Sequence, residues 1–418
     1  MKASRLLLAG LFVLLLSCGV GAQTVVQIAS YGGSPAVLQR IMDEFNATHP
    51  HIRVEVQVFP QSEYIDKMYT MIMGGVSPDI VQTWAQYKST WVDQGLLLDL
   101  TDRWNNSPVI REMDIYPFMM DTATYQGRIY GVPYDFNVEV FFLNYDWFQE
   151  RGVALPNENW TVYDHAELAK KLTDPMKGVY GTYNQPRNGG YRHLQWMLNW
   201  TGHGWVSDDG TEVLVDRQEH IEMLEYWYDL ERNYDASPYP GSFQRRGDLL
   251  GGGYAMWQHW LSSAFQFSDP PAYDWRLTVY PAAPKGQKDF AQGHMFSIPA
   301  TAKNVDAAWE VLEWMASYKG QQVIVREAKR QPIGPYSELW EEFFGALPRD
   351  KAAYVQEFLL YVLYGNDYVN AFEYWDTYAE MNAVMTEALR NIFNDQKAIP
   401  GEMANAAQRM RAILAEKR

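Results

Sequence analysis

The chain has 418 residues, a formal net charge of -16 and one cysteine, Cys18. That length exceeds a single comfortable hydrophobic core and sets two domains as the expectation. The acidic balance argues against a nucleic-acid partner and against docking on anionic lipid through a basic patch, and a lone cysteine excludes an intrachain disulfide.

Lys2 and Arg5 open the chain, residues 6–16 are an apolar run, and Ser17-Cys18 follow. A charged start, a hydrophobic middle and small residues at the end predict a secretory signal peptide over 1–22. The run is too short for a permanent membrane-spanning helix. Leu15-Leu16-Ser17-Cys18 resembles a bacterial lipobox, in which Cys18 would be lipidated and become the mature N-terminus. Val20-Gly21-Ala22 offers a competing cleavage before Gln23, and the lack of another cysteine favours lipidation. One acyl chain anchors weakly, so durable attachment needs a second.

Residues 25–29 predict a short buried strand, followed by the turn Tyr31-Gly32-Gly33-Ser34-Pro35. Val37, Leu38, Ile41, Met42 and Phe45 recur at helical spacing, with Pro35 suited to a first helical position. Ile52, Val54, Val56 and Val58 alternate with polar residues as in a strand. A helix over 62–73, ended by Gly74-Gly75, leads through Pro78-Asp79 to a short strand at 80–81. Strand, helix, strand, helix, strand implies a parallel sheet with crossover helices. Ligands in such sheets bind beyond the carboxyl ends of the strands, which makes Tyr31 and Trp84 site candidates, with Gln61 nearby. Further on, Tyr125-Gln126-Gly127-Arg128 reads as a hairpin turn, 138–143 as a strand, and helices are predicted near 145–148 and over 164–172, 219–232, 305–315, 381–392 and 402–414.

The aromatic fraction is 15%, with 16 Trp and 28 Tyr. Much of it must be core. Trp and Tyr also join a flat apolar face to a hydrogen-bonding edge and so suit half-polar ligands. A sugar is one: its C–H face packs on a ring, and its hydroxyls, stripped of water, need placed polar partners.

Phe45-Asn46-Ala47-Thr48-His49-Pro50-His51-Ile52-Arg53-Val54, then Met73-Gly74-Gly75-Val76-Ser77-Pro78-Asp79-Ile80-Val81, then Gly95-Leu96-Leu97-Leu98-Asp99-Leu100 run in a characteristic order. Gly127-Arg128-Ile129-Tyr130-Gly131-Val132-Pro133-Tyr134, Phe142-Leu143-Asn144-Tyr145-Asp146-Trp147-Phe148, Ala255-Met256 up to Trp260, and Ala307-Ala308-Trp309-Glu310 complete it. In this order and spacing the chain resembles the bacterial extracellular solute-binding proteins of carbohydrate ABC importers, the maltose-binding-protein-like group, over nearly its whole mature length. The resemblance implies an α/β, two-lobed periplasmic-binding-protein-like fold (type II), each lobe a mainly parallel sheet flanked by helices. The hinge crossings fall near 132–134, 282–285 and 326–331. Lobe 1 would then hold 23–131 plus 286–328, and lobe 2 would hold 132–285 plus 329–418. It also implies a monomer that captures a mono- or oligosaccharide between the lobes and delivers it to the permease subunits of an ABC transporter. Such a protein works outside the cytoplasm, in the periplasm or on the outer face of the cytoplasmic membrane, and needs no cofactor.

The family places a sugar-stacking Trp at Trp260; Trp257-Gln258-His259 lacks the family's common Gly pair, which leaves Trp257 as the competing register. Asp135 and Asn137 follow Pro133 at a hinge crossing, and the competing reading is a strand-start turn pair. His294 lies where the returning segment would meet the cleft, and Trp375 and Tyr378 stand where the family has cleft aromatics just before a late helix. Core packing competes for Trp84, a structural role for Asp79, and a surface ion pair for Arg330. The rival class is a secreted glycoside hydrolase, which needs two carboxylates at a set separation. Nothing singles out such a pair, and no G-x-S-x-G, H-E-x-x-H or Walker motif is present. With 8 His and one Cys, no metal site is expected. A non-sugar ligand such as a peptide is the third reading.

Overall fold

The computed structural model describes residues 23–31, 34–245, 247–267, 271–365 and 377–416. The leader with Cys18, the Gly32-Gly33 pair and Trp375 lie outside them. β1 (Thr24–Tyr31) pairs in parallel with β2 (Ile52–Phe59) in an unbroken register from Thr24↔Ile52 to Tyr31↔Phe59. The helix Pro35–Thr48 makes the crossover: Pro35 starts it, and Ile41, Met42 and Phe45 are its buried residues. The helix Gln61–Met73 then returns the chain to β3 (Ile80–Thr83), which pairs in parallel with the other edge of β1. Tyr64, Met68 and Ile72 from that helix form a separate apolar cluster with Ala29, Val81, Trp91, Leu96 and Leu97.

The hairpin of β4 (Thr124–Tyr125) and β5 (Arg128–Ile129) turns through Gln126 and Gly127 at φ 49 and 74. It delivers the chain to β6 (Val132–Asn144), whose 13 residues extend about 43 Å at the usual rise. That length lets one strand serve both halves of the molecule. β7 (Met256–Trp260) and β8 (Trp275–Thr278) pair with its later part, and β9 (Phe290–Ser297) pairs with its first part. β9 also pairs with β3, so one sheet of order β2-β1-β3-β9-β6-β7, with β8 on β6, runs through the molecule.

The expected parallel pairing is found at β1–β2 and β1–β3; the named strands β6 to β9 are antiparallel. The reason is the path: β6 leaves the β1–β3 side and β9 returns to it, so the two must run in opposite senses. Among the described residues, parallel pairing on the far side is confined to single bridges, Thr161↔Ala282 and Tyr180↔Tyr254.

Much of the aromatic content is core. Trp91, Trp147, Trp196, Trp205, Trp227, Trp257 and Trp275 are all at or below 2% exposure. The predicted helices are found at Val162–Leu172, Val305–Ala316, Tyr378–Phe393 and Ile399–Glu416, and the one predicted over 219–232 is Gln218–Tyr228 continued as a π turn to Asn233. Among the described residues no helix is long and apolar enough to cross a membrane.

Candidate functional site

The carboxyl ends of β1 and β3 carry Tyr31 and Trp84, and their rings meet edge to face at 4.5 Å and 81°. Across the cleft, Trp260 ends β7 and lies 5.3 Å from Tyr191, the second residue of the helix Gly190–Thr201. Tyr191 in turn stacks on Phe290 of β9 at 4.9 Å and 20°. Gly189 and Gly190 both have positive φ, 72 and 64, which turns the chain sharply enough to aim Tyr191 back at the sheet. The space between the two ring pairs is a cavity of about 410 Å³.

Its polar lining is mostly neutral. Ser30 donates to Gln82 Oε1 (2.5 Å), and Gln82 Nε2 donates to the Tyr134 hydroxyl (2.8 Å). Gln292 donates to Gln86 (3.3 Å), and Asn137 donates to Ser262 (2.7 Å) while accepting from Gln331 (3.4 Å). Gln61, His294 and Arg330 also line the cavity. Amides carry both donors and acceptors, as hydroxyls do, so such a wall can replace the water lost by a polyhydroxylated ligand. Burial, then the Asp135 charge, raises the Tyr31 hydroxyl far above its ordinary value, so it stays a neutral donor.

Two carboxylates underlie the cleft and neither is exposed. Asp135 meets His294 Nδ1 (2.5 Å) and Arg330 Nε (3.3 Å). Glu139 accepts from Arg192 Nε (2.6 Å), Gln258 Nε2 (2.6 Å) and the Tyr280 hydroxyl (2.7 Å). The Arg192 guanidinium lies 4.8 Å over the Tyr191 ring, so the Glu139 network steadies the second ring pair from beneath. Burial, reinforced by Arg192, lowers His259 to about 4, so the residue beside Trp260 is neutral. A pair of paired, covered carboxylates does not form the flanking acid and base that glycoside hydrolysis requires.

Of the sequence candidates, Tyr31, Trp84, Asn137, Trp260 and His294 converge on this cavity. Asp135 sits behind it at 0% exposure and does not line it. Trp257 is 1% exposed and stacks on Phe142 at 4.8 Å and 16°. It stands three residues from Trp260, and strand alternation sends the two rings to opposite faces. Tyr378 is stacked on Trp205 at 5.6 Å and 4° and is a packing residue here. Asp79 is structural: its carboxylate accepts from the Gln27, Lys303 and Asn304 backbone N–H groups. Tyr191, Gln82, Gln86, Gln292 and Ser262 were not foreseen; the signal available for Tyr191 was an aromatic directly after Gly189-Gly190.

A wider groove of about 760 Å³ lies between residues 154–160 and the helix Val162–Leu172. Its wall carries Asp164, Glu167, Lys170 and Lys171, and it lies away from the strand ends that bring rings and amides together in the cleft.

The description "Bacterial extracellular solute-binding protein" attaches to a family model that matches residues 29–322. An uncharacterized lipoprotein of Streptomyces antibioticus is 29% identical over 185 residues, 42% of this chain and 40% of that protein. The erythritol/L-threitol-binding protein of Mycolicibacterium smegmatis is 25% identical over 295 residues, 63% of this chain and 60% of that one. The chain thus spans less than two thirds of either relative's length. In structure, it is similar to an ABC substrate-binding protein from Listeria monocytogenes in complex with cycloalternan, with TM-score 0.84, 21% identity, and coverage of 94% of this chain and 99% of that one.

Proposed function

The chain belongs to the bacterial extracellular solute-binding proteins, and from that membership we propose that it captures a sugar, polyol or oligosaccharide between two lobes and releases it unaltered to the permease subunits of an ABC importer. The observation that carries the ligand class is the pair of ring couples, Tyr31 with Trp84 and Tyr191 with Trp260, facing one cavity whose other walls are amides and hydroxyls. Rings take the C–H faces of a saccharide, and the amides take its hydroxyls. The erythritol/L-threitol-binding relative and the cycloalternan-bound neighbour have names of the same chemistry.

The lobes in this reading are 23–131 with 286–328 and 132–285 with 329–418, with the hinge crossings near 132–134, 282–285 and 326–331. Export follows from the leader over 1–22, with Cys18 as the lipid anchor or cleavage before Gln23. The protein acts as a monomer.

A thermal-shift panel of oligosaccharides, polyols, peptides and metal ions tests the reading. A ligand bound only by the native state at 100 times its Kd stabilises by about 2.7 kcal/mol. The expected result is a rise in Tm with one saccharide or polyol class, with the compound recovered intact by chromatography. A rise with peptides alone, or cleavage of the saccharide, would overturn it.

A further inference from the structure

We infer that Asp135 is a positioning residue of the cleft, which it does not itself enter: its carboxylate fixes His294 as a hydrogen-bond acceptor and Arg330 as a neighbouring donor, a matched pair for two adjacent hydroxyls of the solute. This deepens the sugar-binding reading above and rests on the same cleft.

Asp135 is 0% exposed, so no ligand reaches it. Its two oxygens are divided between two partners that do line the cavity. Oδ1 is 2.5 Å from His294 Nδ1, and Oδ2 is 3.3 Å from Arg330 Nε, with no hydrogen bond satisfying Oδ2. Three backbone features converge to make the cluster. Asp135 and His294 are registered partners across β6 and β9. The ladder slips between Pro133 and Asp135, which leaves Tyr134 as the extra residue and re-aims the side chains beside it. Lys329 adopts φ 54 at the end of the helix Tyr318–Ala328, and this left-handed residue turns the chain so that Arg330 comes back to the sheet.

The chemistry follows from what each group can do. A carboxylate accepts hydrogen bonds and does not donate them, so the proton of a neutral His294 resides on Nδ1. In that neutral ring Nε2 keeps its lone pair and can accept from a ligand hydroxyl. Arg330 faces Asp135 through Nε as an ion pair without a hydrogen bond, and its two Nη groups remain donors. Each sugar hydroxyl both donates and accepts, so an acceptor imidazole beside a donor guanidinium suits a pair of adjacent hydroxyls. The other titratable groups facing the cluster are Tyr31 on β1 and Tyr134 on β6; both hydroxyls are raised by burial and then by Asp135, and remain protonated.

The test reads the imidazole directly and needs no ligand. In protein labelled with 15N-histidine, long-range 1H–15N spectra, with the His294 signal assigned by its loss in H294Q, are expected to show the Nδ1–H tautomer near neutral pH. D135N should shift or broaden that signal, and D135E should restore it in part. An Nε2–H tautomer, or a ring protonated on both nitrogens, in the unsubstituted protein overturns the proposal even where D135N does not fold. So does a His294 signal that D135N leaves unmoved. In parallel, maltose and erythritol are titrated calorimetrically into wild type, D135N, H294Q and the double variant. The expected result is a tenfold or greater loss in D135N that largely disappears when His294 is already Gln. An equal loss in both backgrounds argues for a role of Asp135 that does not pass through His294, and overturns it. If no saccharide or polyol binds wild type, the sugar-binding reading fails while the tautomer still decides the role of Asp135.

Discussion

Trp257 and Trp260 occupy opposite environments within one strand, one sealed in the core and one open to the cavity. Glu139 is the cross-strand partner of Trp260, and Phe142 that of Trp257, so the two indoles leave β7 on opposite faces. Trp260 is half-buried beside Tyr191 and open to the cavity, whereas Trp257 is sealed against Phe142 with its Nε1 donating to the Tyr273 hydroxyl (3.3 Å). Substitution should therefore divide the two effects. Trp260→Ala is expected to cost about 1–2 kcal/mol of ligand binding, roughly fivefold to thirtyfold, from a lost ring face, with little change in Tm. Trp257→Ala should instead remove about 3–5 kcal/mol of stability and change ligand affinity far less in the fraction that folds. Calorimetric titration beside thermal unfolding checks the pair, and the opposite pattern would show that the parity argument fails.

At the level of elements, three helices are joined through buried histidines. His193 on Gly190–Thr201 accepts from Trp205 Nε1 (2.9 Å), so its Nε2 holds the proton and donates to His220 Nε2 (2.9 Å) on Gln218–Tyr228. His220 Nδ1 then donates to the Val215 carbonyl (2.6 Å). His165 on Val162–Leu172 bridges the Tyr226 hydroxyl (2.5 Å) and Thr182 (2.9 Å). Burial lowers His165 to about 3 and His220 to about 4, and lowers His193 strongly, aided by His220. The native state leaves these rings neutral, while the unfolded chain protonates them below its ordinary histidine pKa of about 6.5. Unfolding thus takes up protons as pH falls, and each ring withdraws about 1.4 kcal/mol of stability per pH unit below that point. Glu231, raised to about 7 by burial against the pull of Arg187, acts in the opposite sense, because the native state holds its proton first. With His259, lowered in the same way, four histidines outweigh one glutamate, so denaturant midpoints should fall steeply between pH 6.5 and 5. His220→Asn should flatten that slope; a stability that does not change over this window would refute the neutral-relay description.

On the scale of the molecule, what was legible in the sequence and what was not divide along the same line as local and distant. Alternation at Ile52 to Val58, the Pro35 helix start and the strand ends at Tyr31 and Trp84 are local patterns, and each is found where the sequence predicts it. The Asp135–His294 pair spans 159 residues, and its register depends on a bulge that no local spacing reveals. Tyr191 reaches the cleft through a glycine turn whose direction is set by packing, and the polar wall is assembled from Ser30 of β1, Gln82 of β3, Asn137 of β6 and Gln292 of β9 at once. That assembly has a mechanical consequence. One ring pair stands at the ends of β1 and β3, the other at β7 and the helix Gly190–Thr201, and the sheet joins the two sides through β6 and β9. A solute that touches both pairs has more affinity for a narrowed cleft than for a wide one, and only that difference can drive closure. The radius of gyration from X-ray scattering should therefore fall when a bound saccharide is added to wild type. Trp84→Ala removes one face of the clamp and leaves Tyr191 and Trp260 to hold the ligand, so at saturating saccharide it should retain binding and lose most of the compaction. If Trp84→Ala contracts as far as wild type at equal occupancy, the first ring pair takes no part in closing the cleft, and the ligand is held from one side alone.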